Sequence, residues 1–102
     1  MKYYAVASLN FKNPLWIQDY LRDVTPMVTK VGGKYLARTS KIEKIEGTAA
    51  LPESMLIIEF PSKEAAEQFY YSEEYQPHKE ARLNGSVGDF FLIAGEDIAN
   101  AG

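Results

Sequence analysis

The sequence contains no cysteine. That absence removes disulfide scaffolds, zinc fingers, iron–sulfur centres and thiol nucleophiles. Histidine is almost as scarce: His78 stands alone, so a metal site built on a histidine pair cannot form within one chain. Positive charge is in deficit. The 11 Lys and Arg residues face 14 Asp and Glu, giving a net charge of −3 with His neutral. That balance argues against a nucleic-acid binder that works by neutralising phosphates. Long apolar runs are missing too. The run from Tyr3 to Leu9, behind Lys2, has the look of a short export signal, with Ala5-Val6-Ala7 resembling a cleavage site. Asn10 and Lys12 end it far short of the roughly 20 residues a membrane span needs, so a strand is the better reading. With neither cysteine nor export signal, a cytoplasmic location is expected, with no membrane partner. No phosphate loop, nucleophile elbow or dinucleotide fingerprint occurs, and Gly85-x-x-Gly88 is too little to count. Neither a cofactor nor a metal is called for.

What is present suffices for one domain. A chain of 102 residues buries roughly two-thirds of its unfolded surface. Its 46% hydrophobic and 13% aromatic content is too rich for a disordered chain. Residues 1–95 read as one domain and residues 96–102 as a frayed tail.

Residues 3–11 read as a strand. Asn13-Pro14 then marks a helix start, with Asn13 as the cap. The helix is predicted from Pro14 to about Val31, because Ile17, Tyr20, Leu21, Val24, Val28 and Val31 form one stripe. Pro26 should bend it or begin a second short helix. Gly32-Gly33 provides the left-handed stop. A long strand is predicted from Lys34 to Ile45, with Tyr35, Ala37 and Thr39 on one face and Leu36, Arg38 and Ser40 on the other. A loop over residues 46–53 follows, and then a strand from Ser54 to Phe60. Ser62 caps the next helix, whose inner stripe is Ala65, Ala66, Phe69 and Tyr70. A break at Ser72 leads to a second segment, Glu73 to Leu83, with a possible bend at Pro77. Asp89 to Ala94 is the last strand. The order is β-α-β-β-α-β: a ferredoxin-like α+β fold, a four-stranded antiparallel sheet with helices on one face.

A sheet with one wet face should alternate apolar and polar residues. Met55-Leu56-Ile57-Ile58 and Phe90-Phe91-Leu92-Ile93 do not. Both faces therefore call for cover, and the helices supply it on one. The simplest cover for the other is a second copy of the chain, giving a homodimer through the helix-free sheet face. The alternative is that the tail or the loop over residues 46–53 caps it.

Several strings also resemble a known family. Gly32-Gly33-Lys34-Tyr35-Leu36-Ala37-Arg38 is similar to the GG-[KR]-Y-L-x-R stretch of an uncharacterised bacterial family, domain of unknown function 1330. Glu46-Gly47 resembles its E-G turn. Ile58-Glu59-Phe60-Pro61-Ser62 followed by Ala65-Ala66 resembles its I-E-F-P-S-x-x-x-A segment. Phe69-Tyr70, Ser72-x-x-Tyr75 and Arg82 match its next helix. The resemblance runs from Tyr3 to Gly95. It implies a ferredoxin-like fold and a dimeric α+β barrel, and it supplies no substrate. The family often carries Arg about where Ser54 stands, so an anion contact made by that Arg is not carried over. Related barrels host cofactor-independent monooxygenases, isomerases, and haem or stress proteins, an analogy of fold alone.

Six residues are candidate ligand contacts. Tyr75, His78 and Arg82 share a helix face at i, i+3 and i+7. Facing the sheet, they would put a phenol, an imidazole and a guanidinium on one pocket wall, able to hold a carboxylate or a phenolate. Otherwise His78 and Arg82 are solvated and Tyr75 is packing. Arg38 binds an acidic group in a pocket, with Tyr35 on the opposite rim, or pairs with Glu43, Glu59 or a partner subunit. Glu59 is a desolvated base or the partner of an arginine. Tyr3, Tyr4, Trp16, Tyr20, Phe69, Tyr70, Phe90 and Phe91 line a flat ligand site or form ordinary core. Taken together, the residues point to a small dimeric protein that binds an acidic or aromatic metabolite between sheet and helices. A cofactor-independent monooxygenase or isomerase is the alternative.

Overall fold

The predicted element order is observed, with the second helical region split in two. The computed structural model describes residues 1–100. In chain order the elements are β1 (Tyr3–Phe11), α1 (Ile17–Lys30), β2 (Lys34–Thr39), β3 (Ser54–Phe60), α2 (Lys63–Tyr70), α3 (Gln76–Gly85) and β4 (Ser86–Ala94), followed by a short 3-10 turn, Ile98–Asn100. The strands form one antiparallel sheet in the order β2-β3-β1-β4. This is the ferredoxin-like α+β fold. The sheet is open, with β2 and β4 at its edges. Of the predicted tail, residues 101 and 102 lie outside the described residues.

The local chemistry that starts and stops these elements is mostly the expected one. Ser62 Oγ accepts from the Ala65 amide at 3.1 Å and caps α2. Gly32 takes φ +86° after α1, and the Gly33 amide donates back to the Val28 carbonyl at 2.9 Å, closing the helix with a left-handed residue. Pro26 neither ends nor divides α1: it sits on the exposed side of a continuous helix. Asn13 does not cap α1. Its side chain accepts from the Leu15 amide at 3.1 Å and shapes a preceding turn, so the helix begins at Ile17. Pro77 lies in the first turn of α3, where its missing donor is harmless and no bend is required. β4 begins at Ser86, three residues before the expected Asp89.

The second strand departs most. It stops at Thr39 rather than Ile45, and residues 40–53 are irregular. It also carries a β-bulge. Tyr35 pairs with Ile58 and Ala37 pairs with Ile57, so Leu36 is an extra residue without a partner. Arg38 then falls opposite Leu56. Residues directly opposite in a pair share a face, so Tyr35 and Arg38 lie on the same face of the sheet, not on opposite ones.

That face meets the helices. Ala5, Ile58 and Phe60 from the sheet, Val24 and Val28 from α1, Ala66 and Phe69 from α2, and Tyr75 before α3 form the buried core. The opposite face is bare. Val6 sits between Ile57 and Phe91, and Tyr4 lies beside Ile93. Phe91 is 60% exposed and Ile93 52%. The expectation of an apolar helix-free face is met along its middle row, Ala37, Ile57, Val6 and Phe91, while polar residues enter the flanking rows: Lys34 and Glu59 on one side, Thr39, Ser8, Asp89 and Asn10 on the other. Among the described residues, no helix is long and apolar enough to cross a membrane.

Candidate functional site

The bulge in β2 and the inner side of α1 enclose a cavity of about 460 Å³. Leu9, Leu56 and Ile58 form its floor on the sheet, and Trp16, just before α1, and Tyr20 on α1 form its roof. Tyr35, Phe69 and Phe90 complete an aromatic wall, while Arg38, Ser40 and Lys41 stand at the exposed rim. Four members of the aromatic set named from the sequence thus meet here: Trp16, Tyr20, Phe69 and Phe90. Tyr4 and Phe91 instead lie on the bare face, and Tyr70 faces a smaller cavity of about 250 Å³ between α2 and β4. Phe69 and Phe90 line both spaces.

Trp16 is held in place by a glycine. Its indole Nε1 donates to the Gly85 carbonyl at 3.0 Å. A Cβ on Gly85 would lie 2.2 Å from the indole ring, so no larger residue allows this approach. The junction between α3 and β4 therefore sets one end of the cavity.

The rim cation is ordered by its own neighbours. The Arg38 guanidinium lies 3.8 Å from the centre of the Tyr35 ring and donates to Thr25 Oγ1 at 2.9 Å. None of the expected carboxylates, Glu43 or Glu59, pairs with it. Burial pushes the Tyr35 phenol above the usual tyrosine range, with Arg38 opposing. Both groups face the helices only because Leu36 bulges.

The inner wall carries a buried polar chain. Tyr20 Oη and Tyr75 Oη are 2.6 Å apart, and Arg82 Nε donates to Tyr75 Oη at 3.4 Å. Tyr75 is fully buried and Arg82 is 7% exposed, its guanidinium 5.5 Å from the centre of the Phe90 ring. Arg82 Nη2 has no hydrogen-bond partner and is the one such buried side-chain atom among the described residues. Burial holds the Tyr20 phenol well above the ordinary tyrosine range, with Tyr75 adding and Arg82 opposing. For Arg82, burial pulls the pKa down, but Tyr75 and then Tyr20 and Tyr70 more than compensate, leaving it raised. Burial thus favours the protonated form of the Tyr20 phenol, and Arg82 stays a cation beside it.

The sequence candidates are therefore only partly brought together. Tyr75 and Arg82 touch. His78 turns aside: its Nε2 lies 3.7 Å from Asp23 Oδ2, and its ring meets Tyr20 edge-on with centres 6.4 Å apart. Asp23 is held below the usual carboxylate range, chiefly by its hydrogen bond to Arg22. Arg82 is not solvated, as one reading had it. Glu59 is not at the cavity at all. It stands on the bare face opposite Tyr4 and pairs with Lys2 at 3.2 Å, a lysine where an arginine was expected. The Tyr20–Tyr75 contact was missed. Its signal was a tyrosine in an inward helical stripe, since a buried phenol must find a partner. Among the described residues, no group of three His, Cys, Asp or Glu side chains is placed to hold a metal.

An aromatic-walled cavity with cations at its rim and a phenol at its inner wall can hold an acidic aromatic molecule. A family model described as "Domain of unknown function (DUF1330)" matches residues 2–96. No curated protein matches the sequence. The fold is similar to the crystal structure of RPA0582, a protein of unknown function from Rhodopseudomonas palustris, with a TM-score of 0.77 at 16% identity, covering 94% of this chain and 83% of that one. It is similar to SnoaB, a cofactor-independent oxygenase from Streptomyces nogalater, with a TM-score of 0.64 at 13% identity and 97% of each chain covered. A dimeric ferredoxin-like protein of unknown function from Jannaschia sp. CCS1 gives 0.66 at 10% identity, over 89% of this chain and 98% of that one.

Proposed function

The chain belongs to the DUF1330 family, a domain of unknown function, and from that premise we propose that it is a homodimeric binding protein for a small acidic or aromatic metabolite. The ligand sits between sheet and helices. The observation that carries this reading is the cavity of about 460 Å³, walled by aromatic rings and rimmed by Arg38 and Lys41. Tyr35 and Arg38 act at its lining, Tyr75 and Arg82 act from behind Tyr20, and His78 acts only through the edge of Tyr20.

The dimer forms through the helix-free face. Ile57, Phe91 and Ile93 are exposed there around Val6 and Tyr4, and a similar fold from Jannaschia is dimeric. A cytoplasmic place agrees with a sequence free of cysteine. A thermal-shift screen of aromatic and carboxylate metabolites tests the pocket. A ligand at 100 times its dissociation constant adds about 2.7 kcal/mol of stability. A screen in which no acidic aromatic raises the melting temperature overturns the reading. Sedimentation tests the dimer, and a lone 11.5 kDa species refutes it.

The buried phenols and cation beside the cavity, together with the likeness to SnoaB, favour a second reading: a cofactor-independent monooxygenase, or an isomerase on the same site. Oxygen uptake, or a rearranged ligand, decides for it. A ligand recovered unchanged after incubation in air decides against it.

A further inference from the structure

We propose that Arg82, Tyr75 and Tyr20 form a one-way hydrogen-bond relay that ends in a polarised donor at the cavity wall, and that its acceptor is the anionic oxygen of a hydroxylated aromatic ligand. The inference rests on the cavity being a ligand site and names the chemistry that the site selects.

The direction follows from what each group can do. Arginine only donates. Arg82 Nε therefore gives its hydrogen to Tyr75 Oη, and that oxygen accepts. Tyr75 is 0% exposed, and its own hydroxyl hydrogen needs an acceptor. The acceptor within reach is Tyr20 Oη at 2.6 Å. If Tyr20 were the donor instead, the Tyr75 hydrogen would be left unpaired in the core, an arrangement that costs about 1–3 kcal/mol. Tyr75 therefore donates to Tyr20, and the Tyr20 hydrogen is the one left over. Tyr20 lines the cavity, so its hydrogen is the relay's outlet. Successive donors polarise one another in a low-dielectric interior.

The charge at the head of the relay lacks a counter-ion. The ion pairs among the described residues involve Lys2, Arg22, Lys30 and His78, never Arg82. Its Nη2 is buried without a partner. A buried cation is stable when an anion answers it, and the missing charge can come from a ligand. The outlet is a single O–H rather than a guanidinium fork, which suits one oxygen on a ring better than a bidentate carboxylate. The Trp16, Tyr35, Phe69 and Phe90 rings suit the ring itself. Burial also favours the protonated form of Tyr20, so in a shared hydrogen bond the ligand is the partner that ionises.

The test uses 4-nitrophenol, whose anion is coloured, and its uncharged methyl ether, 4-nitroanisole. On the wild-type protein, bound 4-nitrophenol should ionise about one pH unit lower than in solution, a tenfold preference for the anion equal to about 1.4 kcal/mol. Tyr20→Phe and Tyr75→Phe, which keep both rings, should return the midpoint to the solution value. Lys30→Gln, at the far end of α1 and outside the cavity lining, should leave the shift in place. An unshifted midpoint, or a shift that survives Tyr75→Phe, overturns the relay. If the two probes bind equally, the relay falls and the pocket stands. If neither binds, both readings fall.

Discussion

Replacing Arg82 with methionine should make the ligand-free protein more stable, not less. Ordinarily a charged side chain at 7% exposure is part of a pair, and removing it is destructive. Arg82 has no carboxylate partner, and its Nη2 is unbonded. Methionine keeps an unbranched stem of similar reach and brings no polar atom. Removing an unsatisfied buried polar group returns about 1–3 kcal/mol, with the upper end expected for a charge. Against this stand one long bond, Arg82 Nε to Tyr75 Oη at 3.4 Å, and a cation 5.5 Å from the centre of the Phe90 ring. Together those contribute about 1–2 kcal/mol. The balance is a gain of about 1 kcal/mol, which for a domain of this size raises the melting temperature by about 4–8 °C. Differential scanning calorimetry on both proteins without ligand reads it directly. The same substitution should abolish the ionisation shift of bound 4-nitrophenol. Stability and binding then move in opposite directions, as they do where strain is kept for function. A melting temperature that falls would mean that Arg82 is a structural residue and that the orphaned nitrogen has no functional meaning.

Other consequences are equally open to measurement. The raised Tyr20 and Tyr35 pKa values mean that the unfolded chain loses these protons first, at about pH 10, while the folded chain keeps them. Stability is therefore full below that pH and declines above it, by up to about 1.4 kcal/mol per pH unit for each tyrosine. Urea melts at about pH 9 and about pH 11 should show the fall, and Tyr20→Phe should shrink it; an unchanged slope refutes the burial argument. Phe91→Lys puts a charge at the centre of the bare face, where Phe91 opposes Val6. It should yield monomers with an unaltered far-ultraviolet spectrum, and a dimer that persists in sedimentation would place the interface elsewhere. Gly85→Ala drives a methyl group into the Trp16 indole. It should lose about 1–3 kcal/mol and shift the emission of the single tryptophan, and an unchanged spectrum would contradict the close approach.

The sequence by itself determined the element order, the capping of α2 by Ser62, the glycine stop after α1 and the two-sided apolar character of the sheet. These are local properties: a cap, a left-handed residue and a missing alternation are each written within a few neighbouring residues. Even so, local rules misplaced what depended on distant partners. Period-two alternation separated Tyr35 from Arg38, whereas pairing with β3 forces Leu36 out of register and brings the two together. Helical spacing grouped His78 with Tyr75 and Arg82, but α1 lies alongside and draws His78 to Asp23. A lone glutamate in an apolar strand looked like a candidate base until the register placed Glu59 on the bare face beside Lys2. The tertiary structure alone decided that an arginine near the end of a short helix is buried without an anion. Burial and pairing belong to the packing of α3 against the sheet, and no spacing along the chain encodes which charges that packing leaves unanswered.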